Sequence, residues 1–271
     1  MLRLEQHGPV VRAEFFTTRT RLIGISVSCY LHKGVVVDTA FPDVRAEFRG
    51  WLSASRPIGV VVTHQHEDHA GNVNSVAKLG VPAWIAPETL AALARVKPIG
   101  LYRRFAFQSM RSLTRPVEPF DGGALQVLAT PGHSSDHHVV WDPEEEILFA
   151  GDLFLGSKVR VAHANEDPRA LVRSLRAMAA LRPRLMFCAH RGMVPEPSAA
   201  LSSKADWLEH TIGEVDRLLD AGWTKAATAR AVLGRGDRAA YFSFGDYSRA
   251  NLVTAIRDSR VGVAVSARGE A

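Results

Sequence analysis

The sequence has few of the features that mark secreted or membrane-spanning proteins. Only two of its 271 residues are cysteines, so it has no disulfide framework, and a reducing cytoplasm is the expected compartment. No apolar run approaches the ~18–20 residues that cross a bilayer. The first residues also lack the apolar core of a signal peptide. These absences predict a cytoplasmic protein that makes no use of a membrane.

What the chain does contain is ordinary for a globular protein, with a basic excess. Hydrophobic residues make up 46% and charged residues 23% of the chain. The formal net charge of +5 favours anionic partners, which include small acids, phosphates and nucleic acid. The basic residues are scattered among acidic ones, so charge alone does not choose between these partners.

An apolar strand over residues 60–62 runs directly into a block that is rich in metal-ligand side chains. The block contains His64, His66, Asp68 and His69. In extended backbone His64 and His66 point the same way, and a helix predicted over 72–79 follows the block. Neutral imidazole and carboxylate are the donors that zinc, iron and manganese accept. The sequence therefore predicts a metal site where this strand meets the helix.

The pattern His-x-His-x-Asp-His resembles the signature of the metallo-β-lactamase fold superfamily. The resemblance implies an α/β fold, a four-layer αβ/βα sandwich, with further site residues at the ends of other strands. It requires an Asp before the block and a His, an Asp and a His after it, in that order. Four residues, each at the end of a predicted strand, meet this requirement: Asp38, His133 in the run Thr-Pro-Gly-His, Asp152 and His190.

The resemblance also implies a role for each of these residues. Seven are expected to hold two divalent ions, with zinc favoured and iron or manganese as alternatives: His64, His66, Asp68, His69, His133, Asp152 and His190. Asp152 is expected to bridge the ions, and Asp68 to orient the hydroxide that they share. Asp38 is expected to support the histidine loop through hydrogen bonds.

The same resemblance predicts a hydrolase with a metal-bridging hydroxide as its nucleophile. His66 stands where the redox branch of the superfamily has a Glu, which favours hydrolysis over electron transfer. The preferred substrate is a small-molecule thioester or ester, with Lys158 and Arg160 as anchors for an anionic group. The alternatives are a phosphodiester hydrolase or endoribonuclease of the lactamase-β-2-like type, and a metal-binding protein without catalytic activity.

The sequence pattern becomes helical after residue 195, and this change predicts two regions. Residues 1–195 are predicted to form the metal-binding domain, and residues 196–271 a C-terminal helical segment. Helices are predicted over 199–221, 224–233 and 248–257, and the spacing of the second resembles a winged-helix unit. Residues 97–117 form a basic and aromatic segment that is predicted to be a surface helix or to contact substrate.

Overall fold

The computed structural model describes the backbone of residues 1–266 and the side chains of residues 1–260. Residues 267–271 of the predicted C-terminal segment lie outside the described residues. The first sheet, in spatial order, consists of β1 (Leu2–His7), β2 (Val10–Phe15), β3 (Val27–His32), β4 (Val35–Val37), β5 (Gly59–Val62) and β6 (Ala83–Ile85). The second consists of β7 (Gln126–Ala129), β8 (His138–Asp142), β9 (Ile147–Phe149), β10 (Leu185–Cys188) and β11 (Gly192–Val194), paired in sequence order.

Each sheet contains neighbouring parallel strands whose carboxyl ends share an edge. In the first sheet β4, β5 and β6 are parallel. In the second sheet β9 and β10 are parallel, while β8 runs antiparallel to β9. Parallel strands that lie side by side bring the residues that follow them close together. Asp38 and His64 therefore follow one pair of neighbouring strands, and Asp152 and His190 follow another.

The strand β5 is buried on both faces, as its run of valines predicts. Val60 and Val62 belong to a core that includes the side chains of Phe48 and Leu52. Val61, on the opposite face, belongs to a second core that includes Phe149 and Phe187 of the other sheet. The alternation of side chains along the strand thus fixes β5 between two apolar layers. This rigid position is what presents the histidine block.

Ten helices occur among the described residues. Five lie in the first compact unit of the chain: α1 (Thr18–Leu22), α2 (Arg45–Ser55), α3 (Val73–Leu79), α4 (Pro87–Ala94) and α5 (Leu101–Phe107). The other five lie in the second unit: α6 (Pro168–Ala180), α7 (Pro197–Asp220), α8 (Lys225–Leu233), α9 (Arg238–Phe242) and α10 (Arg249–Ser266). A 3-10 turn, Pro42–Val44, precedes α2.

The helix α1 was not expected from the sequence, where the apolar run over 23–31 predicts a strand throughout. The strand begins only at Val27. A capping box stabilises the start of α1, in which the Thr17 hydroxyl accepts from the Thr20 amide and the Thr20 hydroxyl accepts from the Thr17 amide. After α1, Ile23 and Gly24 form a turn with Gly24 at φ 72°, so the strand begins later than predicted.

The two compact units are not contiguous in sequence. The first contains residues 1–129, 136–152 and 183–195, and therefore both sheets. The second contains residues 130–135, 153–182 and those from 196 onward. Within the second unit Asp216 of α7 accepts from Arg169 of α6 and from Arg260 of α10. A domain boundary between residues 195 and 196 stays a prediction.

The helices differ from membrane-spanning segments in composition. No helix in the described part of the chain is both long enough and apolar enough to cross a bilayer.

Candidate metal centre

Asp38 joins the ends of two parallel strands and orients a histidine. It adopts φ 65°, in the left-handed region that Asp tolerates better than most residues. Its Oδ1 accepts from the Thr63 amide at 2.8 Å, and its Oδ2 accepts from His69 Nδ1 at 2.7 Å. In the neutral form of His69 the proton is thereby held on Nδ1, which leaves the lone pair on Nε2. Asp38 thus contacts the histidine block, while its role as a support for metal binding stays a prediction.

The loop from Glu67 to Asn72 is held by buried polar contacts and by one close backbone approach. The Asn72 side chain donates to the Thr39 carbonyl at 2.8 Å, and the Thr39 hydroxyl donates to the His69 carbonyl at 2.8 Å. A Cβ on Gly71 would lie 2.2 Å from the Glu67 carbonyl oxygen, so only glycine fits there. The loop is therefore held in place by contacts within the protein itself.

Two groups of side chains in the first unit offer ligand atoms that converge. Group one is His64, His66 and Asp152, and group two is Asp68, His69, Asp152 and His190. In each group the ligand atoms all lie within 4.8 Å of one another. Asp152 belongs to both groups. The structure thus brings six of the seven predicted ligands together, with one carboxylate between the two sets.

Group two combines two buried carboxylates with two histidines. His190 Nε2 lies 3.3 Å from both an Asp68 and an Asp152 oxygen, and His69 Nε2 lies 3.4 Å from Asp152. Burial would lower the pKa of His69 and His190, but the carboxylates around them outweigh burial and raise both pKa values well above 6.5. Likewise burial would raise the pKa of Asp68 and Asp152, and the histidines lower both. Group two therefore favours a cation strongly.

Group one has the opposite electrostatic character. Burial, helped by the positive charge of Arg103, lowers the pKa of His66 to about 3. His66 is therefore neutral at physiological pH, which is the form that binds a metal. His66 Nδ1 and His64 Nε2 lie 3.0 Å apart. Group one is thus a nitrogen-rich set that needs no deprotonation of His66.

The remaining predicted site residues lie in the second compact unit. His133 is buried, in a segment whose Gly132 carbonyl accepts from the Asp167 amide at 2.8 Å. Lys158 and Arg160 are exposed, in the irregular chain between β9 and α6. Metal ligation by His133, and substrate contact by Lys158 and Arg160, stay predictions.

Two contacts beside the histidine block were not predicted from the sequence. Arg103 of α5 donates from Nε to Glu67 at 2.6 Å and from a second nitrogen to the other oxygen of the same carboxylate. Glu67 is only 1% exposed, so this is a buried, two-pronged ion pair. Asp136 accepts from the Gln65 amide at 2.9 Å. In both pairs the partners lie dozens of residues apart, and no spacing rule connects them.

A third set of potential ligands differs from groups one and two because it contains its own cation. We call His32, Lys33, Asp142 and Glu145 the Asp142 cluster. Asp142 lies 2.7 Å from His32 Nε2 and 2.9 Å from Lys33 Nζ. Burial would raise the pKa of Asp142, but these hydrogen bonds lower it to about 2. Lys33 therefore supplies a positive charge beside the Asp142 carboxylate.

Comparison with known proteins identifies the family and the fold of this chain. The sequence profile of the metallo-beta-lactamase superfamily matches residues 23–190. A metallo-beta-lactamase family protein of Thermus thermophilus has the same fold, with a TM-score of 0.68 at 19% identity, over 94% of this chain and 95% of that one. The chain belongs to the metallo-beta-lactamase superfamily, and the predicted fold is confirmed.

Two curated relatives are similar in sequence. The lactamase-like protein nscB of Trichophyton rubrum is 30% identical over 187 residues, which are 69% of this chain and 50% of the relative. The atrochrysone carboxyl ACP thioesterase of Aspergillus fumigatus is 27% identical in an alignment of 219 positions, which covers 75% of this chain and 64% of the relative. The chain thus spans less than two thirds of the length of either relative.

Proposed function

We propose that this chain is a metal-dependent hydrolase that cleaves a small-molecule thioester or ester. The observation that carries the proposal is the pair of ligand groups that share Asp152, where strand ends of the two sheets converge. The fungal relative named as an ACP thioesterase supports a thioester as the substrate class. The structural similarity to metallo-beta-lactamases supports the fold alone.

The residues fit divalent metal ions, and zinc in particular. Imidazole nitrogen and carboxylate oxygen are common zinc ligands. His69 Nε2 is buried and makes no hydrogen bond within the described part of the chain, while Asp38 holds the proton on Nδ1. We assign two ions, because seven ligands exceed the four of a tetrahedral zinc site. His64, His66 and His133 would hold one ion, Asp68, His69 and His190 would hold the other, and Asp152 would contribute to both.

The chemistry divides between the ions and the protein. Divalent ions held by these residues would lower the pKa of water and would stabilise negative charge on an attacked carbonyl oxygen. Asp68 is held ionised by His69 and His190. It would accept a hydrogen bond from the attacking water and so orient it. Lys158 and Arg160 bind the anionic part of the substrate.

The test combines metal analysis with a panel of thioesters, lactones, phosphodiesters and RNA. We expect two ions per chain and thioester turnover that is abolished in Asp68→Asn. Lys158→Ala is expected to raise KM, whereas Lys78→Ala, which removes an exposed lysine in the last turn of α3, leaves KM unchanged. Two bound ions without turnover on any substrate class would identify a metal-binding protein without catalytic activity.

A phosphodiester hydrolase is the second candidate, and it is favoured by an arginine-lined cavity in the C-terminal helices. Arg230, Arg235 and Arg249 line a space of about 360 Å³. Guanidinium groups suit phosphate recognition. A nuclease that neutralises several phosphates loses affinity steeply with salt, by a slope of about 0.7 per contact on a single strand. Metal-dependent RNA cleavage with this salt dependence, and no acyl turnover, would overturn the thioesterase proposal.

A further inference from the structure

The residues between His133 and β8 contact both metal-binding loops through backbone amides. Asp136 is 2% exposed, and its Oδ2 accepts from the Gln65 amide at 2.9 Å. Gln65 is the residue between His64 and His66. The next residue, His137, is 1% exposed, and its Nε2 accepts from the Asp152 amide at 3.0 Å. Two consecutive side chains thus hold the backbone of two different ligand segments.

The hydrogen bond from the Asp152 amide determines the tautomer of His137. A backbone N–H can only donate, so His137 Nε2 must carry a lone pair and the ring proton lies on Nδ1. The nitrogen that faces Asp152 is therefore already used as an acceptor. A Cβ on Gly151 would lie 2.8 Å from this nitrogen, so the residue before Asp152 must be glycine for the ring to approach.

The Asp136 side chain has further hydrogen-bond partners besides the Gln65 amide. The Thr89 hydroxyl donates to Asp136 Oδ2 at 2.6 Å, and the Gln65 side chain approaches Oδ1 at 3.4 Å. Two residues after Asp136, the backbone amide of His138 donates to the Thr63 carbonyl at 2.9 Å. The residues just before β8 and at its start are therefore hydrogen-bonded to the end of β5 in the first sheet and to the segment after β9 in the second.

We infer that Asp136 and His137 are positioning residues that set the distance between the two metal-binding loops. Asp136 sets the loop that carries His64 and His66, and His137 sets Asp152. Because Asp152 belongs to both ligand groups, a shift of its backbone changes the geometry of both. This inference rests on the proposal that the groups hold metal ions, and it makes His137 a support for a ligand instead of a ligand.

The test measures stepwise zinc affinity and the cobalt absorption spectrum, without substrate. His137→Leu removes the acceptor, and His137→Gln keeps one at a similar distance. We expect His137→Leu to weaken binding of one ion by ~10–100-fold, as changes behind metal ligands do, and to alter the cobalt spectrum. We expect His137→Gln to recover most of the affinity. Equal losses in the two variants, or parent-like binding in His137→Leu, would overturn the role of the acceptor.

Asp136 is tested by a change that leaves the carboxylate in place, because removal of the carboxylate risks misfolding. Thr89→Val deletes the hydroxyl that orients Asp136 at almost constant volume. Its matched control is Thr228→Val in α8, where the buried hydroxyl has no hydrogen-bond partner among the described residues. We expect weaker binding of the ion at His64 and His66 in the first variant and parent affinity in the second. Equal affinities in both variants contradict the inference for Asp136.

The same measurements separate this inference from the proposed hydrolase function. Complete loss of one ion in His137→Leu, with the other bound at parent affinity, would make His137 a direct ligand and refute its supporting role. The expected affinity pattern in a protein that hydrolyses nothing on the panel would leave the positioning role intact and refute the hydrolase.

Discussion

Group two and the Asp142 cluster contain similar side chains and have different means of neutralising their charge. Both place histidine and carboxylate atoms within 4.8 Å of one another. In the Asp142 cluster, Lys33 supplies a positive charge 2.9 Å from Asp142. In group two the carboxylates of Asp68 and Asp152 contact His69 and His190, whose pKa values they raise.

The comparison teaches that donor geometry alone does not define a metal site. A cluster that already contains a lysine ammonium gains little from a second cation, because two like charges repel at such short range. A cluster that raises the pKa of its own histidines attracts any cation, a proton or a metal ion alike. Group two is of the second kind, and this difference can be tested.

The largest expected effect comes from Asp152→Ala, because Asp152 belongs to both ligand groups. We expect the loss of one ion per chain and a loss of activity larger than the ~10–100-fold typical of residues behind the ligands. Elemental analysis and zinc titration measure it, with Asp142→Ala as the matched control in the Asp142 cluster. Equal metal content in the two variants would remove the distinction between the clusters.

Asp38→Asn tests the contact behind group two. The amide can still accept a hydrogen bond, but it carries no charge to hold the proton on His69 Nδ1. We expect zinc affinity to fall by ~10–100-fold, with the loss confined to the ion bound by group two. Titration with zinc in competition with a chromophoric chelator measures both steps. An equal loss at both steps would mean that Asp38 supports the whole loop instead of His69.

Arg103→Met tests a second protein cation, which neutralises the buried Glu67 beside group two. Removal of one partner of a buried ion pair leaves an uncompensated charge, and we expect a loss of about 3–5 kcal/mol in the free energy of unfolding. The double variant Glu67→Gln with Arg103→Met removes that charge, so part of the loss should be regained. Urea unfolding of metal-free protein measures both. A double variant less stable than Arg103→Met would contradict this account.

The smallest effect concerns acid stability in the Asp142 cluster. Because folding lowers the pKa of Asp142 from 3.8 to about 2, its ionised form stabilises the fold above pH 3.8. This stabilisation, at most about 2 kcal/mol, is lost as the pH falls through 2. We expect Asp142→Asn to flatten the fall in stability between pH 4 and 2. Unfolding of metal-free protein over this range measures it, and parallel curves for parent and variant would exclude the effect.

The sequence predicts most of the elements that carry the proposed ligands, because each ligand follows an apolar run of one strand. The valines before His64 and the run before Asp152 specify buried strands, and parallel pairing then brings their ends together. The helix predicted over 224–233 is present as α8 (Lys225–Leu233). These are local signals, and the family resemblance adds the order of the ligands.

The supporting contacts could not be predicted in the same way. The Asp136 carboxylate meets the Gln65 amide 71 residues earlier in the chain, and Arg103 meets Glu67 36 residues earlier. Neither pair follows from the periodicity of a helix or strand, because each depends on how loops from separate elements pack. The segment over 97–117 shows the same limit, since only residues 101–107 form a helix there.

The convergence of ligands from two sheets has a consequence for the order of folding. Residues that are far apart in the chain, from His64 to His190, must meet before either ligand group exists, so the site forms late. We expect zinc to bind the native chain and to slow unfolding much more than it speeds folding. Binding to the native state alone also raises the apparent stability with zinc concentration. Unfolding rates measured with zinc and with a chelator test this expectation directly. The metal would then stabilise the contact between the two sheets only after both sheets have formed.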